Sequence, residues 1–394
     1  MDPIAHTFTG AVLARTGLGR ATPLAAAALI IGANAPDIDV VANFGGDYAS
    51  LAWRRGWTHG VLALALLPFI VTGGLLLWDG WRRRSRPGRP RPRAGPLLML
   101  AALGVLTHPT LDWLNNYGLR WLMPFDGRWF YGDALFIIDP WVWLALGGVL
   151  FLAHSRSAAT TGAWLAFWLL ASWLILTTPL VPAIARVIWA AGLTALLAAR
   201  FLPATARRSA SVGAARVDAG APGASVRAAA AAPHLEAAAR AALGVVAAYM
   251  TVTALANVPA RAEVRAALER AGVGPIGEIM IGPAAADPFA GSVVAATPDA
   301  YHTGTWHWLD RPRFVPAAEP IPRTPADDPI VAAASATRAA QRYLTWSRFP
   351  YFDVTPEDGG WVVRIGDARY GGDFARLTGP VIRLDEDLEP IEIR

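Results

Sequence analysis

A histidine and an aspartate four residues apart, His108 and Asp112, could do chemistry because of their types and their spacing. On a helix, residues four apart lie on the same face, one turn from each other. Both occur in an apolar stretch, about 96–116, that is typical of a membrane-spanning helix. Ionisable groups at this depth are costly unless they are paired, hydrated or bound to a metal. The pair therefore predicts a functional site at the membrane.

Other segments supply more imidazoles and carboxylates at what we predict to be the outer ends of successive spans, so we expect them to converge. This mixture of nitrogen and oxygen ligands suits a divalent metal, most of all zinc, and is also compatible with manganese or iron. The chain has no Cys, which excludes a thiolate site, a Cys nucleophile and disulfides. The predicted ligands of one or two ions are His6, Asp37, Asp39, His59, His108 and Asp112.

A divalent metal held by these ligands could activate a water molecule. A divalent metal lowers the pKa of a bound water and polarises the bond to be broken. Asp39 or Asp112 could accept the proton of that water as a general base. Arg55 lies four residues before His59, where it could bind an anionic group of the substrate through two parallel hydrogen bonds. Gly56 next to it allows the backbone to approach closely. The predicted catalytic residues are therefore Asp39, Arg55 and Asp112.

Each of these residues also has an ordinary structural explanation. A single His near a helix end is often only hydrogen-bonded, and Asp37 and Asp39 could cap a helix. Arg54 and Arg55 could be anchors at the membrane interface. Asp139, which precedes Pro140, could likewise be an N-cap. The combination of six potential ligands, and no single residue, favours the metal site.

The composition predicts a polytopic membrane protein, because 54% of the residues are hydrophobic and only 16% are charged, against roughly a quarter charged in soluble proteins. Two stretches of about 13 residues come first; as helices of about 20 Å they are too short to span a bilayer. They could form a re-entrant hairpin, or one tilted span and an interfacial helix. The apolar stretches are 4–17, 22–35, 60–78, 96–116, 136–153, 162–180, 182–202 and 239–257.

The distribution of charged residues indicates how the chain is oriented in the membrane and where its last domain begins. Seven Arg between 82 and 93, and the Arg, Ser, Gly and Pro of 203–233, predict cytoplasmic segments. From residue 259 onward the chain has 19 Asp and Glu against 14 Arg. Alternating runs at 361–365 and 381–384 predict strands, and a 3.6-residue period at 332–346 predicts a helix. The turns are predicted at Gly359-Gly360 and Gly371-Gly372.

The predicted fold class is mainly α: a polytopic membrane helical bundle with a C-terminal extracytoplasmic α+β domain. We predict that the chain is divided into four parts. They are a membrane-embedded domain with the metal site at 1–202, a basic cytoplasmic linker at 203–233, the last transmembrane helix at 234–258, and the extracytoplasmic domain at 259–394.

Five short motifs follow one another along the first part of the chain. They are Met1-Asp2-Pro3-Ile4-Ala5-His6, Pro36-Asp37-Ile38-Asp39, Arg55-Gly56-Trp57-Thr58-His59, His108-Pro109-Thr110-Leu111-Asp112 and Phe136-Ile137-Ile138-Asp139-Pro140-Trp141. In this order they resemble the YdjM-like family, whose members are described as inner-membrane, metal-dependent hydrolases. The resemblance covers residues 1–155 motif by motif, and it implies a multi-pass protein of the bacterial cytoplasmic (inner) membrane that hydrolyses a substrate with a metal. After His59 the family leads us to expect a small hydroxyl residue, where this sequence has Gly60.

A site at the outer interface predicts an ester or phosphoester of a membrane lipid as substrate. The net negative charge of the last domain and the absence of a basic groove argue against nucleic acid. The sequence identifies no protein partner. Two other functions remain open: a non-catalytic membrane scaffold with structural metal and a partner-binding exported domain, and ion transport. No paired half-repeats with broken helices support transport.

Overall fold

The computed structural model describes residues 1–85, 88, 90–202, 223–370 and 379–391, with the backbone alone for 223–233. Helices dominate the chain up to Arg270, and β-strands follow from Ile279 to Asp385. The predicted fold class, a helical membrane bundle with a C-terminal α+β region, is therefore confirmed. Within these described residues, six helical stretches are long and apolar enough to cross a membrane: Ala25–Gly45, Val61–Ser85, Ala94–Trp113, Ala158–Thr177, Ala183–Phe201 and His234–Arg270.

The chain begins with two short helices, α1 (Pro3–Arg15) and α2 (Ala25–Gly32). Asp2 caps α1, because its carboxylate accepts hydrogen bonds from the N–H groups of the first turn, and Pro3 occupies the first helical position. The two helices pack closely, since a Cβ at Gly10 would lie 2.7 Å from the carbonyl oxygen of Leu29. After α2 a 3-10 helix, Ala35–Gly45, carries Asp37 and Asp39.

A short helix, α3 (Ala49–Trp53), leads to the long helices α4 (Val61–Ser85) and α5 (Ala94–Trp113). The stretch predicted to span the membrane at 136–153 is instead the shorter helix α6 (Pro140–His154), which contains a π-helical turn at Trp143–Gly147. Asp139 caps it, so the capping interpretation of that residue is correct. The next two helices, α7 (Ala158–Thr177) and α8 (Ala183–Phe201), agree with the predicted pair of spans.

Helix α9 (Gly223–Arg270) is much longer than the predicted last span. It begins inside the predicted linker, of which residues 203–222 lie outside the described part of the chain. It also continues past residue 258, where we predicted the last domain to begin. Ala260, Val264 and Leu268 explain the extension, since they recur every four residues and pack in the core of the first β-sheet.

The C-terminal region contains two antiparallel sheets. The first joins β1 (Ile279–Ala284), β2 (Asp287–Ala296), β3 (Ala300–His307) and β4 (Phe314–Pro316) in sequence order, with β5 (Ile321–Pro322) also paired to β3. The second joins β6 (Pro350–Glu357), β7 (Gly360–Asp367) and β8 (Val381–Asp385). The predicted strands 361–365 and 381–384 lie in β7 and β8 and pair with each other.

The turn predicted at Gly359-Gly360 joins β6 to β7, and both glycines have positive φ. The turn predicted at Gly371-Gly372 lies outside the described residues. The helix predicted at 332–346 is in fact two helices, α10 (Pro329–Ala336) and α11 (Arg338–Trp346). Thr337 separates them because its extended backbone ends α10, while its side chain accepts a hydrogen bond from the Ala340 N–H and caps α11.

The chain divides into two compact units whose segments alternate along the sequence. The first contains Met1–Ala35, Ala65–Leu111 and Ile138–Tyr249, and the second contains Pro36–Leu64, Asp112–Ile137 and Met250–Arg394. Helix α5 therefore carries residues of both units. The predicted division at 202, 233 and 258 stays a prediction.

Within the second unit, the C-terminal sheets and helices pack on the segment that follows α5. Arg369 forms a fully buried ion pair with Asp367 at 2.8 Å and donates a hydrogen bond to the carbonyl oxygen of Asn116 at 2.8 Å. The charge of Arg369 and hydrogen bonds lower the pKa of Asp367, although burial by itself raises it. Arg348 pairs in the same way with buried Asp133 at 2.9 Å. These ion pairs anchor the domain to residues 116–133.

The first testable prediction concerns the orientation of the chain in the membrane. An alkaline phosphatase fused at Ser85 should stay inactive in the cytoplasm, and one fused after Arg394 should be active outside, because Arg-rich segments are retained in the cytoplasm. The measurement is phosphatase activity of intact cells, with a cytoplasmic reporter at the same two positions as the matched control. An active fusion at Ser85 together with an inactive one after Arg394 would reverse the orientation.

Candidate metal site

In the first unit, two histidine rings stack on each other. His6 on α1 and His108 on α5 are both fully buried, and their ring centroids are 3.7 Å apart at an interplanar angle of 18°. The stacking brings the two imidazoles of α1 and α5 close together. A neutral ring is the form of histidine that binds a metal.

Close packing of α2 against α5 fixes the orientation of His108. A Cβ at Gly104 would lie 2.6 Å from the carbonyl oxygen of Leu29, so the two helices can approach this closely only without a side chain there. As a result, Nδ1 of His108 lies 2.7 Å from the carbonyl oxygen of Ala33. The Nδ1–H donates to this carbonyl oxygen, which can only accept. Nε2 then carries the lone pair, and it is the nitrogen through which His108 would bind a metal.

In the second unit, Asp39 orients the segment from Arg54 to His59. One carboxylate oxygen, Oδ2, accepts hydrogen bonds from the Arg55 N–H at 2.9 Å and from the Thr58 hydroxyl at 3.0 Å. The other oxygen accepts from Nε of Arg54 at 3.3 Å. Asp39 is buried and holds this segment through both oxygens.

The ring of His59 is fully buried and lies between two carboxylates. Its Nδ1 is 2.9 Å from the Thr58 hydroxyl and 3.4 Å from Oδ2 of Asp39. Its Nε2 is 3.3 Å from Oδ2 of Asp112. A histidine whose Nδ1 side faces a carboxylate is the usual arrangement of a metal ligand that binds through Nε2.

Arg55 and Asp112 form a buried ion pair with two parallel contacts. Nε of Arg55 is 3.0 Å from Oδ2 of Asp112, and Nη2 is 3.1 Å from Oδ1. Nη1 donates to the side-chain oxygen of Asn115 at 2.9 Å. The guanidinium also stacks on the ring of Tyr117 at 4.4 Å. Burial raises the pKa of Tyr117 to about 12, so this ring stays a neutral phenol at neutral pH.

The backbone around Arg55 is under constraint. Arg55 has a φ of +55°, in the left-handed region that is uncommon for a residue with a side chain. Its N–H is held by Asp39, and its carbonyl oxygen accepts from the Arg120 N–H at 2.9 Å. Strained conformations of this kind persist where the surroundings fix them, and they are enriched at functional sites.

Two glycines near His59 have no room for a side chain. A Cβ at Gly56 would lie 2.5 Å from the guanidinium of Arg120, which agrees with the predicted close approach at this residue. A Cβ at Gly60 would lie 2.3 Å from the carbonyl oxygen of Met123. This packing excludes the hydroxyl residue expected after His59, and the neighbouring Thr58 supplies a hydroxyl to the ring of His59 instead.

Among the residues that the structure describes, two groups of three buried or half-buried side chains could hold a metal ion, because each group offers ligand atoms within 4.8 Å of one another. The groups are His6, His108 and Asp112, and Asp37, His59 and His108. Five of the six predicted ligands are therefore members. Asp39 is in neither group of the described residues; it contacts the Nδ1 side of His59 instead.

Sequence reasoning missed the partners that orient these side chains. Thr58, Asn115 and Tyr117 lie inside the predicted motifs, but the sequence does not show which residues they contact. Arg54, interpreted as an interfacial anchor, pairs with Asp37 at 3.1 Å and with Asp39 at 3.3 Å. A polar residue flanking a candidate ligand was the available signal.

Comparison with known proteins supports the motif-based resemblance. A curated protein similar to part of this chain is the uncharacterized protein YfhP of Bacillus subtilis (strain 168), which is 25% identical over 118 residues. This match covers 30% of the present chain and 33% of YfhP, so the chain matches about a third of that relative. No solved structure matches significantly. Residues 1–182, which contain every predicted ligand, match the family of the YdjM inner membrane protein, and the resemblance is confirmed.

Proposed function

We propose that this multi-pass membrane protein is a metal-dependent hydrolase that acts at the outer membrane–water interface on an ester or phosphoester of a lipid. The observation that carries the proposal is the pair of His and Asp groups that share His108. Buried imidazoles and carboxylates with ligand atoms this close need a compensating positive charge or hydrogen bonds. A divalent ion supplies that charge, and this donor set fits zinc, with manganese and iron as alternatives.

Hydrogen bonds within the protein orient the proposed ligands before any ion binds. The Ala33 carbonyl fixes His108, and Thr58 with Asp39 fixes His59, so both rings would bind through Nε2. Preoriented ligands lose little side-chain entropy when they bind an ion. In this proposal Asp39 positions His59. Its predicted roles as a ligand and as a general base stay predictions.

Asp112 is the carboxylate we propose as both ligand and proton acceptor. Arg55 orients it through two contacts, at 3.0 and 3.1 Å. When bound, a divalent ion would supply Lewis acidity and lower the pKa of a water molecule at this site. Asp112 could then accept the proton of that water, while Arg55 offsets the negative charge that remains. Binding of a substrate anion by Arg55 stays a prediction.

A lipid substrate is supported by the setting of the site in a membrane protein. Helix α5, which carries His108 and Asp112, is long and apolar enough to cross a membrane. A lipid can approach such a helix sideways, with its tail in the bilayer and only its head group at the ligands. The site at the outer face follows from the predicted orientation of the Arg-rich segments.

The metal content of purified variants tests whether His108 is a metal ligand common to both groups. His108→Ala should remove most of the bound metal, because His108 belongs to both groups, whereas His6→Ala and Asp37→Ala each alter one group. Purified variants would be measured by inductively coupled plasma mass spectrometry. His154→Ala is the matched control, since this half-buried His pairs with Arg15 and is in neither group. Wild-type metal content in all three site variants would make the cluster structural and remove the basis of the hydrolase proposal.

Thr58→Val tests the orientation of His59 without changing the size of the side chain. Loss of the hydroxyl next to Nδ1 should weaken metal affinity about 10-fold. This is the smaller of the losses that are typical when the hydrogen-bond partner of a metal ligand is removed. The measurement is competition with a zinc-binding dye. Thr110→Val is the control, because the Thr110 hydroxyl is exposed and bonds only its own helix at Leu106. Equal zinc affinity of Thr58→Val and wild type would contradict the assigned role.

Activity tests the proposed function directly. Protein in nanodiscs with lipid extract and zinc should change the lipid profile in mass spectrometry, and Arg55→Lys should lower this activity at least about 10-fold while metal stays bound. The reason is that an ammonium cannot reproduce the planar two-point contact with Asp112. The control is Arg128→Lys, an exposed arginine paired only with nearby Asp126. Unchanged lipids, together with cleavage of a soluble phosphoester, would contradict the lipid substrate.

A further inference from the structure

A groove in the second unit lies beside the orienting residues of the site. It has a volume of about 520 Å³, within the range of small-molecule pockets. Its walls are mainly apolar and come from the 3-10 helix after α2 and from the segment around α3. Ile38, Val41, Trp53 and Trp57 are among the residues that line it.

The walls of this groove expose much more apolar surface than a water-facing segment normally does. Ile38 is 63% exposed, Val41 61% and Trp53 56%, and neighbouring Phe44 is 92% exposed. In the same segment Asp39 is buried. The segment is therefore inverted relative to a soluble protein, with its polar side chain inside and its apolar side chains outside. Contact with lipid explains this arrangement, and tryptophan is common at the membrane interface.

The inner end of the groove reaches the site residues of this unit. Asp39 and Thr58 line it, and both contact Nδ1 of His59, at 3.4 and 2.9 Å. A molecule in the groove would therefore lie one residue away from a proposed metal ligand. An apolar chain held here would have its polar end close to the chemistry.

One cation also lines the groove, and it comes from the C-terminal domain. Arg342 belongs to α11, whose buried face packs in the core of the second sheet through Ala340, Tyr343 and Trp346. Nη1 of Arg342 donates to the carbonyl oxygen of Asp47 at 2.9 Å, which fixes the guanidinium over the loop before α3. The planar guanidinium suits a phosphate, because it can donate parallel hydrogen bonds to two oxygens.

We propose that this groove binds an acyl chain of an anionic phospholipid and that Arg342 contacts the lipid phosphate. Apolar walls exposed on a membrane protein, together with one arginine, match the two halves of such a lipid. The C-terminal domain thus supplies a specificity-determining residue to the membrane-embedded part of its own unit. Lipid binding in the groove does not depend on the proposed function. The inference rests on that function only for the hydrolysis that would follow binding.

The test uses full-length protein in nanodiscs with photoreactive lipids of identical chains, one phosphatidylglycerol and one phosphatidylcholine. After irradiation, peptide mapping should place the label within residues 36–58, with phosphatidylglycerol labelling several-fold above phosphatidylcholine. Arg342→Gln should abolish this preference. Arg338→Gln should keep it, because Arg338 is exposed on the same helix and is not part of the groove.

A second pair of variants tests the groove itself. Ala42→Trp should fill it and remove labelling by both lipids, whereas Val40→Trp on the same 3-10 helix, outside the groove lining, should not. Label outside 36–58, or equal labelling by both lipids with no effect of Arg342→Gln, would overturn the proposal. A short-chain alkyl phosphate that competes as well as the phospholipid would also overturn it, because acyl-chain binding would then contribute nothing.

The lipid groove and the proposed hydrolase activity can be contradicted independently of each other. The experiment is repeated with His108→Ala, in which we expect little metal and no reaction, and groove labelling should persist there. Persistent labelling without lipid hydrolysis in the wild type would refute the proposed function and leave the lipid groove. Lipid hydrolysis by the wild type without label in 36–58 would refute the groove and leave the enzyme.

Discussion

The buried ion pair of Arg55 and Asp112 is the interaction on which the rest of the candidate site depends. Removing one partner of such a pair leaves an unpaired buried charge, which typically costs about 3–5 kcal/mol. The pair joins the loop before α4 to the end of α5, two segments far apart in sequence. Asp39 and Arg120 hold the backbone of Arg55 on both sides, which explains how Arg55 tolerates a positive φ.

The same ion pair connects the site to the C-terminal domain within the second unit. Tyr117 stacks under the Arg55 guanidinium at 4.4 Å and packs against Trp346 at 5.2 Å. Trp346 in turn stacks with Arg369 at 4.4 Å, and Arg369 bonds the backbone next to Tyr117. A continuous series of stacked rings and guanidiniums therefore supports Arg55. This contact gives the domain a structural role whether or not it binds a partner.

Local rules allowed some of these features to be predicted from the sequence. Four-residue spacing put His108 and Asp112 on one face of α5, and Asp139 before Pro140 was recognised as a possible cap of α6. Partners distant in the chain were not predictable, because no pattern shows that Asp39 accepts from Thr58 or that Asn115 accepts from Arg55. The full length of α9 was not predictable for the same reason: Ala260 and Val264 extend α9 because they pack on a sheet formed later in the chain.

The hydrogen bonds of the ligands also limit how many ions the cluster can hold. His108 belongs to both possible groups, but its Nδ1 donates to the Ala33 carbonyl, so Nε2 alone can bind a metal. One nitrogen lone pair serves one ion. Two ions would thus leave one of them with only two ligands from its group, fewer than the three protein ligands typical of a catalytic zinc. The proposed site would therefore hold a single ion at His108, with the remaining members of the two groups as alternative or additional ligands.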